Sequence, residues 1–174
     1  MADYKLNYHQ RIKDILADPT KTNLYLDFSK SHNFYDSSCP IDIMVAEAYS
    51  RYRAYPYLAH QFGEDRIVCA PVSARHDFEI AGRKIDTKVR TTNHTDYNGD
   101  VFVDTSKWEI NDAIIIVWED GYSALFPRKT TPTTRDIQHT NKCSTHNNTD
   151  KVAKDVTHIN YNDAMYKWII NGSN

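Results

Sequence analysis

The stretch HDFEIAGRKIDTKVR, residues 76–90, decides the fold of this 174-residue chain. Apolar and charged residues alternate in both of its halves, and Ala81-Gly82 separates the two. Alternation with a period of two is typical of a half-buried strand, and a short glycine-containing link is typical of a hairpin. The stretch therefore predicts a β-hairpin with one apolar and one charged face.

The alternation also predicts how the two strands of the hairpin align. Pairing Phe78 with Ile85 keeps the apolar face continuous and places Asp77 opposite Asp86. A shift of one residue would put Phe78 opposite a charged side chain and break the apolar face. We therefore expect Asp77 and Asp86 to be cross-strand neighbours, with Cβ atoms about 4.5–5.5 Å apart.

Two carboxylates this close repel each other unless a positive charge lies between them. Mg²⁺ is the expected ion, with Mn²⁺ as a substitute, because Mg²⁺ binds through one or two carboxylates and keeps several waters. Lys88 projects from the same face as Asp86, and its ammonium group can stabilise negative charge that develops on a metal-bound phosphate. This combination points to hydrolysis of phosphodiester bonds.

The remainder of the chain predicts helices before the hairpin and mostly strands after it. Apolar residues recur at helical spacing from Ile41, and Pro56 is expected to end this helix. A weaker helical signal covers 8–16, and 23–28 suits a short strand or a turn of helix. Strands are expected at 66–70, 101–104, 113–118 and 122–126, of which the continuously apolar 113–118 should be central and covered on both faces.

The C-terminal third predicts a loop followed by a helix. Residues 129–150 contain seven threonines and few apolar side chains, so they are expected to form a long polar loop. The segment 155–174 is expected to hold a C-terminal helix, because Ala164, Met165, Trp168 and Ile169 have helical spacing. His139, Cys143 and His146 have a spacing that a zinc site can use, but a fourth ligand would have to come from elsewhere.

The pattern Asp77…Asp86-Thr87-Lys88, on a hairpin that follows a helix, resembles the core of the PD-(D/E)XK nucleases, the restriction-endonuclease-like superfamily. The resemblance covers roughly residues 41–126. It departs from the family pattern at His76, which stands where the proline would be, and at Asp86, which replaces the commoner glutamate. It implies an α/β fold with a mixed, mostly antiparallel central sheet flanked by helices. We expect residues 1–174 to form a single nuclease-like domain.

The resemblance also implies roles for individual residues. Asp77, Asp86 and the backbone carbonyl of Thr87 would hold the metal, and Lys88 would assist catalysis. Many family members use a further glutamate on the preceding helix, which Glu47 matches here. The alternative for Glu47 is an ordinary ion pair with Arg51 four residues on, worth a few tenths of a kcal/mol.

The function implied is that of a metal-dependent endonuclease acting on duplex or branched DNA. Small family members include phage-encoded, homing and restriction endonucleases, and most act as homodimers or higher oligomers, because one active site cuts one strand. The alternatives are a junction resolvase, an RNA nuclease, or a nucleic-acid-binding or structural protein that keeps the fold without cleavage.

The charge distribution permits a polyanion to bind but does not require it. The net charge is −2, yet residues 51–90 carry eight Lys/Arg against five Asp/Glu, and residues 128–154 carry six against two. The candidate phosphate contacts lie in these two basic segments: Arg51, Arg83, Lys84, Arg90, Arg128, Lys129 and Arg135.

The remaining composition argues against a secreted or membrane protein. Three scattered cysteines do not form a disulfide framework, no apolar run approaches the ~18 residues of a membrane span, and the N-terminus lacks a signal-peptide stretch. We expect a cytoplasmic protein without a membrane partner, working in the host cytoplasm if a phage encodes it.

Overall fold

The computed structural model describes residues 4–96, 100–128, 134–141, 151–161 and 164–169. The helices in these residues are α1 (Tyr4–Leu16), α2 (Pro19–Ser31), α3 (Ile41–Phe62) and α4 (Thr105–Ile110). The strands are β1 (Ile67–Cys69), β2 (Phe78–Ile80), β3 (Arg83–Val89), β4 (Asp100–Asp104), β5 (Ala113–Val117), β6 (Tyr122–Pro127), β7 (Thr134–Asn141), β8 (Lys151–Asn160) and β9 (Met165–Ile169). None of the helices described is long and apolar enough to cross a membrane.

The strands form a central six-stranded sheet in the order β1-β2-β3-β5-β6-β9 and a second, three-stranded sheet in the order β4-β8-β7. All neighbouring strands are antiparallel except β3 and β5, which are parallel. The expectation of a mixed, mostly antiparallel central sheet flanked by helices is confirmed. The strand β5 lies inside this sheet, and all five of its residues are buried, as its continuous apolar run predicted.

The predicted hairpin register is confirmed as far as Phe78 and Ile85, where the ladder ends. The predicted pairing of Asp77 with Asp86 is not part of the ladder, because Asp77 precedes β2 and its N–H meets the Ile85 carbonyl. Phe78 pairs with Ile85, and Ile80 pairs with Arg83 across the turn. Both turn residues adopt left-handed backbone conformations, with φ of 52° at Ala81 and 76° at Gly82. A two-residue hairpin turn needs positive φ at both positions to match the strand twist, which suits Gly82 and strains Ala81.

Apolar side chains cover both faces of the central sheet. On one face, Ile85 and Ile115 pack with Tyr57 and Leu58 of α3. On the other face, residues of β5 and β6 pack with β4, α4 and β8 in a cluster of Val101, Val103, Trp108, Ile114, Ile116, Trp118, Ala124, Phe126 and Ile159. The helix α1 packs on the first face near the end of β3. Its residues Ile12 and Ile15 form a cluster with Val45 and Tyr49 of α3 and with Val89 of β3.

The helix α3 is longer than the sequence predicted. It continues through Pro56 to Phe62, so the prediction that Pro56 ends it is wrong. A proline inside a helix costs about 3 kcal/mol, because it removes one backbone hydrogen bond and clashes with the preceding turn. Tyr57 and Leu58, which directly follow Pro56, are completely or almost completely buried against the sheet. Their burial offsets the proline cost, at roughly 1.5–3 kcal/mol for a large apolar side chain.

The segment 23–28 belongs to α2, which settles the choice between a strand and a helix. Asp18 caps this helix, because its carboxylate accepts hydrogen bonds from the backbone N–H groups of Thr20 (3.0 Å) and Lys21 (3.4 Å). Pro19 occupies the first turn, where its missing N–H has no helical partner to lose. Asp18-Pro19 is thus the sequence signal that predicts this helix.

Two predictions for the C-terminal third are wrong. Residues 134–141 form β7 rather than a loop. Within the predicted helix of 155–174, residues 155–160 belong to β8 and 165–169 form β9. The backbone of β7 pairs with β8 over eight residues, and this hydrogen bonding does not depend on apolar side chains. The strand β9 pairs with β6 around a bulge. Residues 129–133, 142–150 and 170–174 lie outside the described residues, as do Cys143 and His146 of the zinc candidate and the side chain of His139.

Candidate functional site

Asp77 lies one residue before β2, beside the middle of β3. Its backbone N–H donates to the Ile85 carbonyl (2.9 Å), and its Oδ2 atom accepts the backbone N–H of Thr87 (2.9 Å). The partners of these two bonds, Ile85 and Thr87, are the residues on either side of Asp86 in β3. The Asp77 carboxylate therefore bonds to the edge of β3 where the backbone of a longer β2 would otherwise pair.

Asp86 and Lys88 project from β3 on the face opposite α3. Their β5 partners in the parallel ladder are Ile114 and Ile116, which pack toward the second sheet. Residues at alternate positions of a strand share a face, so Asp86 and Lys88 are neighbours. The Lys88 Nζ atom lies 2.9 Å from Asp86 Oδ2, at ion-pair distance.

The two aspartates are buried and interact electrostatically, with only 8% of Asp77 and 4% of Asp86 exposed. Burial and the negative charges of Asp86 and Glu47 raise the pKa of Asp77 to about 7, against the opposing effect of Arg51 and Lys88. Burial lowers the pKa of Lys88, but the charge of Asp86 and its hydrogen bond outweigh this, so the pKa of Lys88 is raised. Lys88 is therefore an ammonium ion at neutral pH.

Glu47, on α3, is connected to Asp77 by Arg51, which lies close to both carboxylates. The Arg51 Nε atom lies 3.7 Å from Glu47 Oε2 and 3.6 Å from Asp77 Oδ1. The i,i+4 pair proposed as the alternative for Glu47 is thus present, although Arg51 is completely buried rather than on the surface. Glu47 lies on the α3 side of the sheet, whereas Asp86 projects from the other side.

The donor set suits a hard divalent cation. The N–H and C=O groups of one strand residue point to the same side of the strand, so the Thr87 carbonyl faces the side on which its N–H meets Asp77. Asp77, Asp86 and this carbonyl supply oxygens, which Mg²⁺ prefers, and Mg²⁺ completes its shell with water or phosphate oxygens. Within the described part of the chain, no group of three or more His, Cys, Asp or Glu residues is arranged to hold a metal ion. A Mg²⁺ site here would therefore depend on water or substrate for its other ligands.

Two of the residues predicted as phosphate contacts are buried. Arg51 is completely buried, and Arg90 is only 6% exposed. Arg90 donates to the carbonyl of Phe102 (2.8 Å), and its guanidinium lies over the Phe102 ring, so β4 covers it. Strand alternation predicts the face from which a side chain projects, but it does not predict what packs on that face.

Three candidate cations remain accessible. Arg83 and Lys84 are exposed at the hairpin turn, and Arg128 is exposed next to Asp112, with a separation of 3.6 Å between Arg128 Nη2 and Asp112 Oδ1. Lys129 lies outside the described residues, and the side chain of Arg135 is not described either. The exposed cations Arg83 and Lys84 belong to the same hairpin as the aspartates.

Tyr8 is a residue near the site that the sequence did not single out. Its hydroxyl group hydrogen-bonds with Ser50 Oγ (3.0 Å) and donates to the carbonyl of Ala46 (3.3 Å). Burial raises its pKa strongly, the Ser50 bond lowers it, and the charges of Glu47 and Asp77 raise it further. The helical signal at 8–16 predicted α1, but nothing local predicted that α1 packs against α3 at this point.

No family model, no curated protein and no solved structure matches this chain.

Proposed function

We propose that the chain is a divalent-metal-dependent endonuclease with a restriction-endonuclease-like core. Asp77, Asp86 and Lys88 would form the active site at which it hydrolyses DNA phosphodiester bonds. The observation that carries this proposal is the pair of buried, electrostatically coupled aspartates with an ammonium group 2.9 Å from one of them. Buried charges are costly, and perturbed titratable groups of this kind concentrate at functional sites.

Each residue has a distinct role in the proposed reaction. Asp77 and Asp86 offer carboxylate oxygens, and Thr87 offers its backbone carbonyl, to Mg²⁺ or Mn²⁺. When bound, a divalent ion polarises a phosphoryl oxygen and lowers the pKa of a water molecule. Lys88 exchanges its contact with Asp86 for a phosphate oxygen, where its positive charge stabilises the charge that develops during hydrolysis.

Substrate binding depends on local cations, because the net charge of the chain is −2. The exposed Arg83 and Lys84 lie at the turn of the hairpin that carries Asp77 and Asp86, so a phosphate backbone that reaches the aspartates can also contact them. Cleavage of both strands of a duplex would require two copies of the site, and we propose a homodimer or higher oligomer for this reason.

The test is a cleavage assay with plasmid, linear and branched DNA in Mg²⁺ or Mn²⁺. We expect wild type to cleave and Asp86→Asn to lose activity by about 100-fold or more, since even the partners of metal ligands are worth 10–100-fold. The exposed Asp27→Asn removes the same charge elsewhere and should leave cleavage intact. Absence of cleavage by wild type, or full activity of Asp86→Asn, would refute the proposal.

A second candidate is a nucleic-acid-binding protein that does not cleave. The observation in its favour is that Lys88 and Arg51 already neutralise part of the charge of the aspartates without any metal. A Mn²⁺ titration separates the two candidates, because only the nuclease requires divalent ions at Asp77 and Asp86. DNA binding without Mn²⁺ binding would favour the second candidate.

A further inference from the structure

The side chain of Arg51 contacts two backbone carbonyls and an aromatic ring. Its Nη1 atom donates to the carbonyl of Ala70, its Nη2 atom donates to the carbonyl of Pro71 (3.5 Å), and its Cζ atom lies 4.4 Å from the centre of the Phe34 ring. Its side chain is completely buried. A guanidinium group remains charged at all relevant pH values. The positive charge of Arg51 therefore has a fixed position, unlike that of a surface arginine.

The third nitrogen of this guanidinium, Nε, lies near the acidic groups but makes no hydrogen bond. It lies 3.6 Å from Asp77 Oδ1 and 3.7 Å from Glu47 Oε2. Both separations exceed the usual N–H···O range of about 2.7–3.2 Å. Arg51 thus acts on these carboxylates through its charge, from a position between them.

This position conflicts with a metal ion shared by Glu47 and Asp77. Such an ion would have to lie about 2.0–2.1 Å from an oxygen of each residue, close to the Arg51 Nε atom that lies 3.7 Å from Glu47 Oε2 and 3.6 Å from Asp77 Oδ1. A divalent cation there would meet a buried positive charge that cannot move away. On the other side of Asp77, toward Asp86 and the Thr87 carbonyl, the cation is Lys88, whose side chain is 28% exposed and lies 2.9 Å from Asp86 Oδ2.

We infer that Arg51 is a fixed counter-cation that keeps Glu47 out of the metal coordination and limits the Asp77–Asp86 site to one divalent ion. This inference rests on the proposed function, since it concerns the metal of that site. Arg51 is a positioning residue here, because it acts through Asp77 and Glu47 rather than on the substrate. The three carboxylates and two cations leave one net negative charge, which one divalent ion and a phosphate together can balance.

The test measures Mn²⁺ binding to the full chain by isothermal titration calorimetry and by the electron paramagnetic resonance of bound Mn²⁺. We expect one Mn²⁺ per wild-type chain, without the spin coupling of a closely spaced pair. Glu47→Gln should still bind one Mn²⁺ with an affinity within about threefold of wild type, while Asp86→Asn should weaken binding by more than about tenfold. The exposed Asp27→Asn is the control for the loss of one negative charge.

A further variant addresses the arginine directly. Arg51→Gln that remains folded by circular dichroism should bind Mn²⁺ at least tenfold more tightly or admit a second ion, because the fixed charge is gone. Unchanged affinity and stoichiometry in folded Arg51→Gln would overturn the inference. If Arg51→Gln does not fold, two Mn²⁺ ions per wild-type chain or a tenfold loss of affinity in Glu47→Gln would still overturn the inference.

The outcomes separate the inference from the proposed function. Two Mn²⁺ ions per wild-type chain, or a tenfold loss of affinity in Glu47→Gln, would overturn the inference while leaving a metal site at Asp77 and Asp86. Absence of Mn²⁺ binding by wild type, or binding that Asp86→Asn leaves unchanged, would overturn the proposed function and the inference together.

Discussion

Replacing Asp77 by asparagine should stabilise the metal-free protein above neutral pH. Burial and the neighbouring carboxylates raise the pKa of Asp77 from 3.8 to about 7, so the charged form is disfavoured in the folded state. Asparagine has the same shape and keeps an oxygen that can accept the Thr87 N–H bond. The substitution therefore removes the disfavoured charge and leaves the local hydrogen bond in place.

The sign and size of the effect follow from the shift in pKa. A carboxyl group whose pKa is raised by folding stabilises the protein below the unfolded value of 3.8, and this contribution is lost as the pH rises through about 7. Three pKa units correspond to ~4 kcal/mol, of which roughly 2–3 kcal/mol are lost between pH 5 and pH 8. The attraction of Arg51 is already included in this shift, but in the variant the asparagine NH₂ group replaces the oxygen that lies 3.6 Å from Arg51 Nε, which reduces the gain. We therefore expect a net gain of about 1–3 kcal/mol at pH 8 and a smaller one at pH 5.

The assay is urea unfolding with EDTA at pH 5 and pH 8, with the exposed Asp27→Asn as the charge-matched control. Addition of Mn²⁺ at 1,000 times its Kd should reverse the order at pH 8, because wild type binds the ion and gains about 4.1 kcal/mol, while Asp77→Asn does not bind it. A variant that is less stable than wild type in EDTA at pH 8, with the same difference at pH 5, would refute the reasoning.

Four further predictions test the hairpin, the capping of α2 and the catalytic proposal. Ala81→Gly should raise the free energy of unfolding by about 1 kcal/mol in a urea titration, because Ala81 has a left-handed φ of 52°. Asp18→Ala should lower it by about 1 kcal/mol, because the α2 N-terminus loses its cap. Lys88→Met should reduce kcat by about 100-fold or more while Mn²⁺ still binds, which single-turnover cleavage and calorimetry measure together. Neutralising Arg83 and Lys84 should flatten the dependence of log K on log salt by up to about 1.8 for DNA binding in Ca²⁺; an unchanged slope would exclude them as phosphate contacts.

Local patterns in the chain were sufficient for the hairpin and for the core of the candidate site. The alternation in 76–90 predicted the pairing of Phe78 with Ile85, because a strand repeats every two residues and a slip of one would expose the apolar face. The same alternation predicted that Asp86 and Lys88 share a face. The continuous apolar run at 113–118 predicted a central strand, because only a strand covered on both faces can bury every residue.

The tertiary structure alone decided which of these residues are accessible and how the helices end. Pro56 lies inside α3 because burial of Tyr57 and Leu58 outweighs the local cost of proline, and no local pattern contains that burial. Arg51 and Arg90 are charged residues that the sequence placed on a surface, yet the chain segments at Ala70 and Phe102 cover them. Strand and helix periods arise from the backbone and are therefore visible in the sequence. Whether a side chain is buried depends on contacts between segments that are distant in the sequence, so it is decided only when the chain folds.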